Sequence, residues 1–191
     1  MSYTVDEMKV ILKDEYGNDM NKFFVDLEKA TKKSVLICET DEELKQFIYD
    51  NFSKIWKYLL KGKFSTDGFE CLFHRQFDYS DVIPGYIMSR ATDKELIQLI
   101  QIEDQFLMMH KYVCAVATSQ KVIKEIIKSE WFPDDTEDDM FPVIFKKELD
   151  KKNLELLFKV CDEEFFGDRD AVAERMVSMG MEDPRADEED W

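Results

Sequence analysis

Apolar side chains recur along this chain at spacings of three and four residues, the pattern of helices with one buried face. The broadest stripe follows Thr40 and comprises Leu44, Phe47, Ile48, Phe52, Ile55, Trp56, Leu59 and Leu60. We therefore predict one continuous helix here, which ends before Gly62.

Capping signals predict where most of the other helices begin. A threonine followed three residues later by glutamate forms a capping box at Thr4, Thr40 and Thr92, and Thr118 or Ser119 caps a further helix. Together with the apolar spacing, these signals predict helices over residues 4–16, 23–33, 92–117, 119–127, 150–166 and 169–179. Gly180 is expected at the left-handed position after the last helix.

Three short apolar runs are typical of strands instead, at residues 34–38, 69–73 and 140–145. The expected fold class is mainly α, with α+β possible: about six or seven helices and a few short strands. We expect one globular domain over residues 1–180. Residues 181–191 have no apolar period and contain Pro184, so they are expected to form an acidic tail.

The bulk composition predicts a soluble intracellular protein. Apolar residues make up 45% of the 191-residue chain, enough for a hydrophobic core. The four cysteines are widely spaced in apolar surroundings, which predicts buried free thiols in a reducing compartment. No secretory signal is visible, and no apolar run approaches the ~20 residues of a membrane span, so we expect a cytoplasmic protein without a membrane partner.

The distribution of charge is the most informative feature for function. The chain has 42 acidic and 26 basic residues, a net charge of −16. Residues 134–191 carry 20 of the acids and 8 of the bases, a local net charge of −12. Such an asymmetry attracts basic surfaces and repels nucleic acid and anionic membranes. It predicts a basic protein partner and no direct binding of nucleic acid.

Two acidic segments are the candidate partner-binding sites. The acidic loop supplies Asp134, Asp135, Glu137, Asp138 and Asp139, and the tail supplies Asp187, Glu188, Glu189, Asp190 and Trp191. The loop lacks the central glycine and distal glutamate of an EF-hand, since Asp139 and Phe145 stand at the sixth and twelfth positions. A solvated charge run is the alternative interpretation of the loop, and a solubilising role that of the tail.

The end of the tail, Arg185-Ala-Asp-Glu-Glu-Asp-Trp191, resembles the tails of single-stranded DNA-binding proteins. Those tails recruit replication partners through a hydrophobic pocket with a basic rim. The resemblance covers this short segment alone. It implies that the Trp191 ring anchors the tail and that the carboxylates pair with lysine or arginine on the partner.

No pattern of catalytic or cofactor-binding residues emerges, and we predict no catalytic residue, metal or cofactor. The two histidines have no recognisable catalytic or metal-binding companions: His110 is interpreted as structural and His74 as a solvated loop residue. The aromatic residues of segment 64–86 are interpreted as core rather than as a base-stacking surface, because acidic residues offset the basic ones there. The cluster Lys54, Lys57, Lys61 and Lys63 is interpreted as the solvated side of a helix.

Three classes of function are compatible with these observations. The leading hypothesis is a non-enzymatic interaction module that binds a basic partner, as inhibitors, immunity proteins and DNA mimics do. The second is an accessory factor of nucleic-acid metabolism recruited through the tail, which would need a basic face for nucleic acid. The third is an enzyme whose site is built from scattered residues.

Overall fold

A computed structural model describes residues 4, 7, 10, 21–65, 82–130, 132, 140–164 and 167–186. These ranges contain ten α-helices and one 3₁₀ turn, Val35–Ile37, and no strand. The helices are α1 (Asn21–Thr31), α2 (Asp41–Asp50), α3 (Phe52–Leu59), α4 (Val82–Arg90), α5 (Asp93–Ile100), α6 (Glu103–Val116), α7 (Gln120–Lys128), α8 (Met140–Phe145), α9 (Lys151–Glu164) and α10 (Arg169–Ser178).

The mainly α class is confirmed, but the number of helices and two of the predicted strands are wrong. Residues 34–38 contain a 3₁₀ turn, closed by a hydrogen bond from the Cys38 N–H to the Val35 carbonyl. Residues 140–145 form helix α8, in which Met140, Phe141 and Ile144 are buried at helical spacing. A short apolar run does not distinguish a buried helical turn from a strand. The third predicted strand, residues 69–73, lies outside the described residues.

The helix predicted from Thr40 to Leu60 is two helices, because Asn51 interrupts it. The backbone of Asn51 has φ −110° and ψ 9°, which ends α2 and begins α3. Its side chain is buried, and Nδ2 donates a hydrogen bond to the Phe47 carbonyl at 2.8 Å. Asparagine offers the backbone this alternative to regular helix bonding. The helix predicted over residues 92–117 is likewise divided, at Ile102 (φ −98°, ψ 82°).

The predicted caps are largely confirmed. Thr92 and Glu95 form the complete capping box of α5, and the Ser119 hydroxyl accepts a hydrogen bond from the Lys121 N–H at the start of α7. The Thr40 hydroxyl accepts from the Glu43 N–H, while the Glu43 carboxylate reaches the Glu39 N–H. The helix predicted after Thr4 lies mostly outside the described residues.

The chain divides into two compact units, residues 1–91 and 92–191. In the first unit, α1 and α2 each pack on α3. The core there includes Phe23, Leu27, Leu44, Ile48, Ile55 and Leu59, all fully buried. The single globular domain expected over residues 1–180 stays a prediction.

In the second unit, α7 packs on α5 and α9, and α9 also packs on α10. The α7 stripe Val122, Ile123, Ile126 and Ile127 is completely buried, as its spacing predicts. Gly180 adopts φ +71° after α10, and the Met181 N–H bonds to the Met176 carbonyl, which confirms the predicted glycine stop.

Cys38, Cys114 and Cys161 are free and buried, as predicted, and Cys71 lies outside the described residues. Across the described part of the chain, no helix has the length and apolar character needed to cross a membrane.

Candidate functional site

The ten predicted partner-binding residues lie outside the described residues. This holds for the acidic loop, residues 134–139, and for the tail end, residues 187–191. His74 and most of the aromatic segment also lie outside them. The described chain does contain the region that leads into the tail.

That region, residues 161–186, carries eight acidic and three basic residues, a net charge of −5. We call its carboxylates the C-terminal acidic surface: Asp162, Glu163, Glu164, Asp168, Asp170, Glu174, Glu182 and Asp183. Seven of the eight residues are exposed and Asp183 is half-buried. Asp168 also caps α10, since its carboxylate accepts a hydrogen bond from the Ala171 N–H at 3.0 Å.

All three arginines of this region are bonded within the unit. Arg169 Nε lies 3.0 Å from the Asp162 carboxylate. Arg175 donates to the carbonyls of Phe145 and Lys147, so its charge is directed to backbone oxygens rather than to a carboxylate. Arg175 therefore forms no ion pair with a described carboxylate, although its charge still counts toward the net −5 of the region.

Arg185 connects the beginning of the predicted tail to α10. Its guanidinium lies 3.0 Å from Asp183 and 3.1 Å from Asp170. Hydrogen bonds from Arg185 lower the pKa of the Asp183 carboxyl, and the same bonds raise the pKa of Arg185. Both groups therefore stay charged at neutral pH. Residues 181–186 are thus tied to the helical unit, although they belong to the predicted tail.

A second charged feature of this unit is a groove that we call the lysine groove. It has a volume of about 420 Å³ and lies where α7 meets the N-terminal half of α9. Lys121 and Lys124 line it from α7, and Lys152 and Lys159 line it from α9. Lys159 lies 3.5 Å from Glu163, whereas the other three lysines form no ion pair with any residue whose position is described.

The amides of buried Asn153 and half-buried Gln120 hold the two walls of the lysine groove in place. Asn153 Nδ2 donates to the Gln120 backbone carbonyl at 2.9 Å and to Gln120 Oε1 at 2.8 Å. Gln120 Nε2 donates in turn to the Glu148 carbonyl at 2.7 Å. The groove is therefore fixed by side chains of both elements. It carries Asp150 and Glu155 besides its lysines, so its excess of positive charge is modest.

Sequence reasoning did not find the lysine groove, because its lysines come from helices about 30 residues apart. The available signal was the polar side of α7, where Lys121, Lys124 and Lys128 recur beside the buried stripe. The cluster that the sequence did suggest is exposed, as predicted: Lys54, Lys57, Lys61 and Lys63. Lys54 Nζ lies 3.4 Å from the Thr31 carbonyl at the end of α1.

His110 is buried in α6, in agreement with its structural interpretation. Among the residues with described positions, no group of three or more His, Cys, Asp or Glu side chains is arranged to hold a metal ion. Comparisons with protein-family models, with curated proteins and with solved structures give no match to this chain.

Proposed function

We propose that this protein is a non-enzymatic interaction module whose acidic C-terminal third binds a basic partner protein, in the manner of an inhibitor, an immunity protein or a DNA mimic. One observation carries the proposal most directly. Arg169, Arg175 and Arg185 are bonded within their own unit, while the carboxylates of Glu164, Glu174 and Glu182 are exposed. The surface therefore offers negative charge to a partner.

Charge of one sign on a surface accelerates the encounter with an oppositely charged partner. The tail end continues directly from this surface, since residue 186 is tied to α10 through its neighbour Arg185. Asp187, Glu188, Glu189 and Asp190 add four carboxylates, and Trp191 adds an aromatic ring. In the proposed complex the ring enters an apolar pocket of the partner, and the carboxylates pair with the basic rim.

The two parts of this surface should affect binding differently. Trp191→Ala should weaken the complex by about 2 kcal/mol or more, because a buried anchor at the centre of an interface contributes that much. Neutralising the carboxylates should instead slow association and reduce its dependence on salt. Stopped-flow or surface-plasmon measurements with the partner distinguish the two effects.

The partner is found by affinity purification from the native cells, with three forms of the full protein as bait. The neutralised variant carries Glu164→Gln, Glu174→Gln and Glu182→Gln and ends at Ala186. The control carries Glu39→Gln, Glu42→Gln and Asp50→Asn, which match the three glutamate substitutions by removing three exposed acids from the first unit, and it keeps residues 187–191. We expect a basic protein with the wild type and the control, and its loss with the neutralised variant. Equal recovery with all three baits contradicts the proposal.

The lysine groove favours a second candidate, the accessory factor of nucleic-acid metabolism. Lys121, Lys124 and Lys152 could neutralise backbone phosphates, although three contacts give weak and strongly salt-dependent binding. Under the leading proposal, single- and double-stranded DNA show no mobility shift at micromolar protein and low salt. A salt-sensitive shift favours the second candidate if changing these three lysines to glutamine abolishes it. Changing Lys57, Lys61 and Lys63 to glutamine is the control.

A further inference from the structure

The first unit contains a groove of about 460 Å³ that includes no residue of the C-terminal acidic surface. Its walls come from the α2–α3 junction, with Tyr49, Phe52 and Ser53, and from α4, with Gly85, Tyr86, Ser89 and Arg90. We call it the aromatic groove. Its volume falls within the range of about 300–1,000 Å³ that is usual for small-molecule sites.

The aromatic wall is supported from behind. The ring centroids of Phe52 and Tyr86 are 4.6 Å apart, and the Tyr86 ring is 5.1 Å from that of Trp56. Trp56 itself is only 3% exposed. Because a buried indole fixes both rings, they present a stable surface against which a planar ring can stack. Tyr49 is half exposed beside them.

The polar groups of the groove favour an anion. Arg90 ends α4 and is exposed, and its guanidinium has no hydrogen bond or ion pair with any described residue. A guanidinium presents five donors and binds carboxylate or phosphate with two parallel hydrogen bonds. The Ser89 hydroxyl donates to the Gly85 carbonyl at 2.8 Å, so its proton is already used and Arg90 is the main donor for an anion. Ser53 adds a second exposed hydroxyl.

Gly85 keeps the groove open. A Cβ placed on this residue would meet no atom within 4 Å, so the space in front of its backbone is empty. A larger side chain here would project into that space. Glycine in the interior of a helix lowers helix stability relative to alanine, and no packing requirement of the described chain explains its presence.

We propose that the aromatic groove binds a small ligand composed of a planar aromatic ring and an anionic group, either carboxylate or phosphate. The ring stacks on Tyr86 and Phe52, and the anion pairs with Arg90. This site is independent of the proposed partner-binding surface, because all of its residues belong to the first unit. Either proposal can fail without the other.

Calorimetric titration of the full protein tests the proposal with indole-3-acetate and phenyl phosphate as ring-plus-anion probes. Indole supplies the ring alone and inorganic phosphate the anion alone. We expect at least one of the two combined probes to bind, and to bind about tenfold or more tightly than indole or phosphate, because a charge-assisted pair contributes that much. No binding of either combined probe at millimolar concentration overturns the proposal. Equal affinity for indole and indole-3-acetate overturns the role of the anion.

Three variants locate the site. Arg90→Gln should lower the affinity for the ring-plus-anion probe about tenfold and leave the affinity for indole unchanged. Gly85→Leu should abolish binding of both, since its side chain occupies the groove. Lys57→Gln is the control, because it removes an exposed cation of the same unit that does not line the groove. Thermal unfolding of each variant establishes that it is folded. Unchanged binding in folded Arg90→Gln and Gly85→Leu overturns the assignment.

Discussion

The guanidinium of Arg185 is bonded to the carboxylate of Asp170, fifteen residues earlier in the chain, at 3.1 Å. This bond, with the backbone bond from Met181 to Met176, ties the first six residues of the predicted tail to α10. In our proposal the partner therefore meets this tied segment, with exposed Glu182, as well as residues 187–191. The same bond pairs Arg185 with Asp170 of the acidic surface, so the exposed carboxylates of Glu164, Glu174 and Glu182 are the ones that the proposal assigns to a partner.

We expect two truncations of the tail to differ in stability. Ending the chain at Ala186 should leave the melting temperature nearly unchanged, because an exposed tail contributes little packing. Ending it at Gly180 should lower the free energy of unfolding by up to about 1 kcal/mol, the usual range for exposed ion pairs. Urea titration of both truncations measures the difference. If the chain that ends at Ala186 melts many degrees lower than the wild type, Trp191 is a core residue. The acidic loop would then become the better candidate interface.

Three glycines allow backbone strain to be separated from steric overlap. Gly167 has φ +69°, and a Cβ there would lie 2.6 Å from the Phe141 ring. Gly180 has φ +71°, but a Cβ there would meet no atom within 4 Å. Gly85 has neither a positive φ nor an atom in the way of a Cβ. Gly180→Ala should cost about 1 kcal/mol from strain alone. Gly167→Ala should cost more, since Phe141 must also move, and Gly85→Ala should stabilise by about 0.5–1 kcal/mol. Thermal unfolding gives the ranking; equal losses at 167 and 180 would mean that Phe141 moves freely.

Asn153→Asp should destabilise the second unit in a pH-dependent manner. The Asn153 amide donates to two oxygens of Gln120, and a carboxylate in its place would face both of them without a hydrogen to donate. Burial and these oxygens raise the pKa of the introduced carboxyl above its usual value near 4. Its protonated form is therefore favoured in the folded state. The loss of unfolding free energy relative to the wild type should be small at acidic pH and should grow as the pH rises through the raised pKa.

Urea titrations of this variant at pH 4 and pH 7, each compared with the wild type, measure that change. Asn153→Ala is the control, because it removes the donor without adding a titrating group. For Asn153→Ala we expect the same loss of stability at both pH values. If Asn153→Asp also loses the same stability at both, residue 153 is solvated.

The Cys161 thiol should react slowly in the native protein. Burial raises the pKa of Cys161 to about 11, from an ordinary value near 9. The thiolate is the reactive form, so little of it exists at pH 8. Because the unfolded thiol loses its proton near pH 9 and the folded one near pH 11, this group also lowers stability as the pH rises through that interval.

Alkylation with iodoacetamide, followed by mass spectrometry of the peptides, measures the rate at each cysteine. Cys161 should be labelled at pH 8 only after denaturant is added. Rapid labelling of native Cys161 would show that it is accessible. Loss of free thiols on denaturation without reductant would instead reveal a disulfide and contradict the prediction that the cysteines are unpaired.

Local signals of the sequence predicted the helix starts well. Thr92, Ser119 and Thr40 each cap a helix as expected, because a cap depends on residues within one turn of the chain. The two divided helices were not predictable in this way. Asn51 reads as one polar residue in a long stripe, and only its burial against Phe47 makes it a break.

The sequence by itself determined that the chain is mainly helical, where most helices begin, which stripes are buried, and that negative charge is concentrated toward the C-terminus. These properties depend on neighbours in the chain and on composition. Only the tertiary structure decided that Lys121 and Lys152 share a groove, that Phe52 lies against Tyr86, and that Arg175 binds carbonyls instead of carboxylates. The physical reason is that each of these relationships depends on how separate elements pack, and a linear pattern of residues contains no direct record of that packing.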